Sequence, residues 1–119
     1  MKEDNVILTK SYDFANRAVR LCRFLCEQHR EYVLSQQMLR SGTSIGANVR
    51  EAQRAQSRKD FVAKLTIALK EAYETEYWLD LLQQTDCITS DEHKSLKVRC
   101  GKIRRMLIAS INTSKAKLD

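Results

Sequence analysis

The chain has 119 residues, no proline, three glycines and a hydrophobic share of 43%. That length suits one domain with a modest core, and the wealth of good helix formers makes an all-α fold the expectation. No apolar run approaches the ~18 residues that cross a bilayer, residues 1–10 lack the apolar segment of a signal peptide, and a net charge of +6 favours anionic partners.

The first helix is predicted over Ser11–Arg30, with Ser11 as N-cap. Ala15, Ala18, Val19, Cys22, Leu25, Cys26 and His29 recur at steps of three and four and form its stripe. The second is predicted over Ser35–Gln56, with Met38, Gly42, Ile45, Gly46, Val49, Ala52 and Gln53 on one face. Two interior glycines cost roughly 1 kcal/mol each relative to alanine. Either a neighbouring backbone approaches closely there, or the helix starts late, after a loop at Ser41–Ser44. The far side of this helix is also low in bulk at Ser44, Ala47, Glu51 and Ala55.

The third helix opens at Ser57 with Asp60 three residues on, and ends near Thr85. It is apolar on two sides. One row holds Phe61, Val62, Leu65, Ala68, Leu69, Ala72, Glu76, Leu79 and Gln83; the other holds Ala63, Ile67, Glu74, Trp78 and Leu81. A surface helix of a lone domain has one apolar stripe. The second row therefore calls for another covering, and Ile67, Trp78 and Leu81 are the candidates for a contact between subunits. The fourth helix starts at Thr89, which with Glu92 has the form of a capping box. Leu96, Cys100, Ile103, Leu107 and Ser110 then give the seam spacing of a left-handed bundle. Short joints at 30–34, 56–57 and 85–89 make consecutive helices antiparallel neighbours. The expectation is one domain over 1–119, an antiparallel up-down-up-down four-helix bundle with frayed tails at 1–10 and 113–119.

Few residues offer chemistry. Cys22, Cys26 and His29 share a face, but their spacing is helical and lacks the Cys-x-x-Cys knuckle of zinc sites. Packing explains them better, and the four cysteines lack a disulfide framework, as reduced cytoplasmic thiols do. The residues three before His29 and His93 are Cys26 and Ser90, so the Glu-x-x-His pattern of di-iron bundles is missing. No nucleophile elbow, phosphate-binding loop or dinucleotide fingerprint occurs. The expectation is a non-enzymatic protein without metal or cofactor.

Two features carry more weight. Glu74 and Glu76 lie within apolar rows, where a carboxylate needs a partner. Arg40, Arg50 and Arg99 are candidates, with Arg99 the expected partner of Glu76. The stretch from Lys94 to Lys117 holds eight cations and no acid. It is either a solvated helix face or a phosphate-facing patch whose candidates are Lys94, Lys97, Lys102, Arg104 and Arg105. The basic stretch contains no aromatic residue, which points to sequence-tolerant, salt-sensitive contact with backbone phosphates.

Leu39-Arg40-Ser41, Thr43-Ser44-Ile45, Asn48-Val49-Arg50-Glu51-Ala52, Ser57-Arg58-Lys59-Asp60-Phe61, Ile67-Ala68 and Glu74-Thr75-Glu76 together resemble the 23S ribosomal RNA intervening-sequence proteins. In that family a Ser-Ile-x-x-Asn-Ile-Ala-Glu-Gly segment precedes a Ser-x-x-acid-Phe helix start and a Glu-Leu-Glu segment. This chain departs from it with Arg50 for a small residue and Ala52 for glycine. The resemblance implies a bacterial, cytoplasmic, non-enzymatic four-helix bundle. Related accessory proteins of diversity-generating retroelements look like closed pentamers that bind nucleic acid and a reverse transcriptase. Asn48, Glu51, Glu74 and Glu76 match the motif's polar positions, and structure or assembly is the role expected of them.

Overall fold

The computed structural model describes residues 2–118, and for residues 2–5 the backbone alone. Four helices follow one another: α1 (Lys2–His29), α2 (Val33–Ala52), α3 (Arg58–Gln84) and α4 (Ser90–Lys115). Each packs on the next, and α4 returns to α1, so the order is up-down-up-down in a body of 50 × 21 × 20 Å. The α1–α4 seam is the sparsest of the four.

The helix ends show how local chemistry sets length. α1 begins at Lys2, well before the expected Ser11, because Ile7 and Phe14 continue its buried stripe toward the N-terminus. Ser11 is fully buried inside the helix and its hydroxyl donates to the Leu8 carbonyl at 3.2 Å. Of the tails expected to fray, Lys2–Lys10 is helical and 113–115 completes α4, while Met1 and Asp119 lie outside the described residues. The chain leaves α1 through Arg30, at a left-handed φ of 51°. Glu31 then caps α2: its carboxylate accepts from the Val33 and Leu34 amides at 2.9 Å, which starts that helix two residues before Ser35. α2 ends at Ala52 and not at Gln56, unwinding through i→i+3 bonds such as Ala55 N–H to Ala52 carbonyl.

Both remaining N-caps form as expected. The Ser57 hydroxyl accepts from the Asp60 amide at 3.0 Å and the Thr89 hydroxyl from the Glu92 amide at 3.1 Å. The second capping box is completed differently, because the Glu92 carboxylate reaches across to Arg17 of α1 at 3.1 Å. α3 stops where Asp86 turns left-handed (φ 63°), with Cys87 N–H bonded to Leu82 carbonyl and Asp86 N–H to Gln83 carbonyl. That is the Schellman pattern, with Asp in the place glycine usually takes.

The core follows the expected phases. Val62, Leu65, Ala68, Ala72 and Leu79 of α3 are buried, as are Leu96, Cys100, Ile103 and Leu107 of α4; beyond these Ile111 and Ser114, and not Ser110, point inward. α2 is helical through both glycines. A Cβ on Gly42 would stand 2.9 Å from the Ala18 Cβ, and one on Gly46 would stand 3.1 Å from the Ser11 carbonyl oxygen. The glycines are there to let α1 lie directly on α2. Gly101 of α4 differs, since a Cβ there meets only the ends of the Arg104 and Arg105 side chains.

These contrasts give a stability test. Gly42→Ala loses about 1–3 kcal/mol, because overpacking exceeds the gain in helix propensity. Gly101→Ala gains up to ~1 kcal/mol, because the exposed end of Arg105, the nearer of the two, moves aside while Arg104 is already at ordinary contact distance. Urea denaturation of the two variants checks both signs.

Candidate nucleic-acid interface

The α3–α4 seam is laced by ions. Glu76, largely covered by its neighbours, accepts from Arg104 Nε at 2.7 Å, and Lys97 Nζ lies 3.8 Å from its other oxygen. Lys97 also bonds both oxygens of Asp80, at 3.0 and 3.2 Å, and His93 Nε2 lies 2.8 Å from the same carboxylate. Burial works against the charged form of Asp80, but the bonds from His93 and Lys97 outweigh it and hold the carboxyl below its ordinary value. The bond to Glu76 raises the Arg104 guanidinium further above its already high value, against a smaller opposing effect of burial.

Beneath this ladder the Cys100 thiol donates to the Ala72 carbonyl at 3.5 Å. Burial first, and the Glu76 charge second, push its pKa up to about 12. On the other side of α3, Arg40 of α2 pairs with Glu71 at 3.2 Å and with Glu74, and the Trp78 indole N–H donates to Glu74 at 2.9 Å. The Ser41 and Thr75 hydroxyls meet in the core at 2.9 Å.

The two carboxylates flagged by the sequence therefore do have cationic partners. For Glu74 the partner is Arg40, one of the three arginines considered. For Glu76 it is not Arg99, which is exposed and pairs with no carboxylate among the described residues. A step from Ile103 to Arg104 rotates by 100° toward α3, whereas Arg99 falls on the side of α4 facing α1. Proximity to the stripe was visible in the sequence, but the direction of the neighbouring helix was not.

This pairing sorts the basic stretch. Lys97 and Arg104 are tied to α3. Lys94, Arg99, Lys102 and Arg105 are exposed and unpaired among the described residues. Three of these four, Lys94, Arg99 and Lys102, join Lys10 of α1 around an open groove of about 570 Å3 along the α1–α4 seam. Phe14 and Ile103 form part of its floor, and Asp13 and Asp91 are its two acids. Four cations against two carboxylates leave the groove positive. Lys10 was not legible as a site residue in the sequence, because it stands in a segment expected to be frayed.

The Asn48 amide donates back to the Ser44 carbonyl at 2.9 Å, and Glu51 is exposed beside Arg50 and Arg54 on an α1–α2 trough. Of the residues expected at a subunit contact, Ile67 is 43% exposed. Trp78 and Leu81 are half-buried by the chain itself, with the indole resting against the core. Cys22 and Cys26 sit near Ser35, His29 packs edge-on against Phe24, and Cys100 lies in the other seam. No metal-binding group of three or more His, Cys, Asp or Glu forms among the described residues. Nor is any helix among them long and apolar enough to cross a membrane.

The family model described as 23S rRNA-intervening sequence protein matches residues 3–109. The chain belongs to that family. Among solved structures, this member of the 23S rRNA-intervening sequence protein family is similar to a protein of unknown function from the S23 ribosomal protein family of Bacteroides thetaiotaomicron VPI-5482. The identity is 54%, the TM-score 0.91, and the match covers 92% of this chain and 98% of that one. No curated protein matches the sequence.

Because Glu76 is enclosed and holds two cations, Glu76→Ala destabilises by about 1–2 kcal/mol, reduced from a fully buried pair by the partial exposure of its partners. Arg99→Ala changes stability by less than about 0.5 kcal/mol. Chemical denaturation of the pair checks the reassignment, and equal losses would restore Arg99 as the partner.

Proposed function

We propose that the chain is a non-catalytic, homo-oligomeric bundle protein of the cytoplasm that associates with RNA or DNA through backbone phosphates. The carrying observation is the set of unpaired cations Lys94, Arg99, Lys102 and Arg105 on α4, continued by Lys10 across the open seam. Lys97 and Arg104, neutralised by α3, contribute little net charge. A non-catalytic role agrees with the Cys100 thiol, whose high pKa suits packing and opposes nucleophilic attack.

Assembly is supported by the second apolar row of α3, where Ile67 is exposed and Trp78 and Leu81, about three to four turns further along, are half-buried. Five subunits is the number implied by the resemblance to the retroelement accessory proteins. A second reading, a scaffold for a partner protein such as a reverse transcriptase, is favoured by one feature. A cleft of about 800 Å3 between α1 and the α3–α4 turn is lined by the exposed Phe24, the buried Leu21 and Ile88, and Arg17 and Arg20.

A gel-shift titration at two salt concentrations separates the readings. Neutralising four phosphates gives a slope of log K against log salt of about −3.6 on a duplex and about −2.8 on a single strand, and Lys94→Ala with Lys102→Ala halves it. Absence of binding at low salt removes the nucleic-acid reading and leaves the scaffold. For assembly, native mass spectrometry gives multiples of the 13.8 kDa chain, five-fold for the pentamer, and Ile67→Glu releases monomer. A stable single-chain particle from the unaltered protein refutes association.

A further inference from the structure

The basic stretch of α4 lacks aromatic residues, but the fold supplies them from α3. Tyr73 and Tyr77 stand one helical turn apart and are 52% and 60% exposed. Neither belongs to the core. Each ring is supported from one side. The Arg104 guanidinium lies 5.5 Å from the Tyr73 ring centroid, and Arg104 is itself fixed by its bond to Glu76. Tyr77 stands edge-on to Trp78, with ring centroids 5.0 Å apart.

Gly101 completes the surface. With no side chain there, the Arg104 and Arg105 guanidiniums fold back over α4, their nitrogens 3.6 and 3.3 Å from where a Cβ would be. Arg104 thus links the Tyr73 ring on α3 to the guanidinium-covered surface of α4. Arg105 and the exposed Lys70, three residues before Tyr73, pair with no carboxylate among the described residues.

From this geometry we infer that the α4-side flank of α3 is a stacking platform for single-stranded nucleic acid, with Tyr73 and Tyr77 receiving bases and Arg105 and Lys70 facing phosphates. The inference rests on the nucleic-acid reading above and narrows it. Exposed aromatic faces stack on unpaired bases of any sequence, and those faces are closed to them in a duplex. Rings already held in place lose little freedom on binding. The surplus of cations selects a polyanion over a neutral apolar partner. Helical periodicity puts Arg105 on the outer face of α4 in line with Lys94, about three turns further along, so the strand runs from the tyrosines onto the cations of the proposed phosphate surface.

The test is fluorescence anisotropy with a short labelled oligothymidylate and a blunt duplex of equal length, at two salt concentrations. The unaltered protein prefers the single strand. Tyr73→Ala and Tyr77→Ala each weaken single-strand binding by roughly tenfold and leave duplex binding and its salt slope unchanged. Tyr73→Phe and Tyr77→Phe retain binding, and far-UV circular dichroism confirms the fold of all four variants. If the alanine variants bind the single strand like the unaltered protein while Lys94→Ala with Lys102→Ala does not, the platform is refuted and the phosphate reading survives. If neither strand binds the unaltered protein at low salt, both fall. If the alanine variants break the assembly in native mass spectrometry, the face lies between copies of the chain and the platform is refuted.

Discussion

The contact on which the architecture turns is the close approach of α1 to α2 at Gly42 and Gly46. With no side chain at either position, Ala18 and the Ser11 carbonyl reach the α2 surface directly. α1 is thereby committed to α2 along its length and meets α4 only sparsely. A four-helix bundle has four seams, and here three are closed by packing and the fourth is left partly open. The open seam is where Lys10 faces Lys94, Arg99 and Lys102. Two glycines on one helix thus have an electrostatic consequence on the opposite side of the partner they admit.

α3 does the complementary work of sorting charge. Its carboxylates face both neighbours: Glu71 and Glu74 hold Arg40, while Glu76 and Asp80 hold Arg104, Lys97 and His93. Such pairs are worth little individually when exposed. The Glu76 pair is covered and sits directly over Cys100, where its loss would leave cations at the edge of an apolar seam. The ladder also decides which cations remain for an outside partner. Residues that look equivalent in the linear run from Lys94 to Lys117 divide into those consumed by α3 and those facing solvent or the groove.

This division explains what was legible in the sequence. Periodicity gave the four helices, their order and most of the buried residues, because a 3.6-residue repeat is a property of one strand of chain. Both hydroxyl N-caps were readable for the same reason. The errors occurred where a long-range or side-chain partner intervened. Ile7 extended α1 past Ser11 because the core covers it, and Glu31 started α2 early by capping it from outside the helix. The partner of Glu76 depended on the rotational setting of α4, which one residue of phase, Ile103 to Arg104, decides. The absence of aromatics in the basic run was read correctly from the chain, but the neighbouring helix supplied Tyr73 and Tyr77.

The two flanks of α3 also bear on how assembly and polyanion binding could coexist. Trp78 lies toward α2 with Glu74 and Tyr73 lies toward α4 beside Arg104, while Tyr77 stands between them, edge-on to Trp78. A subunit covering Trp78 therefore reaches the edge of Tyr77, but it need not reach Tyr73. Charge adds a constraint of its own: five copies at +6 each would carry +30, and like charges gathered in one particle repel. Apolar burial on the α2-side flank must outweigh that repulsion, or a polyanion must relieve it. A ring of such subunits and a bound nucleic acid would then be linked equilibria, each favouring the other, with the unpaired cations of α4 as the link.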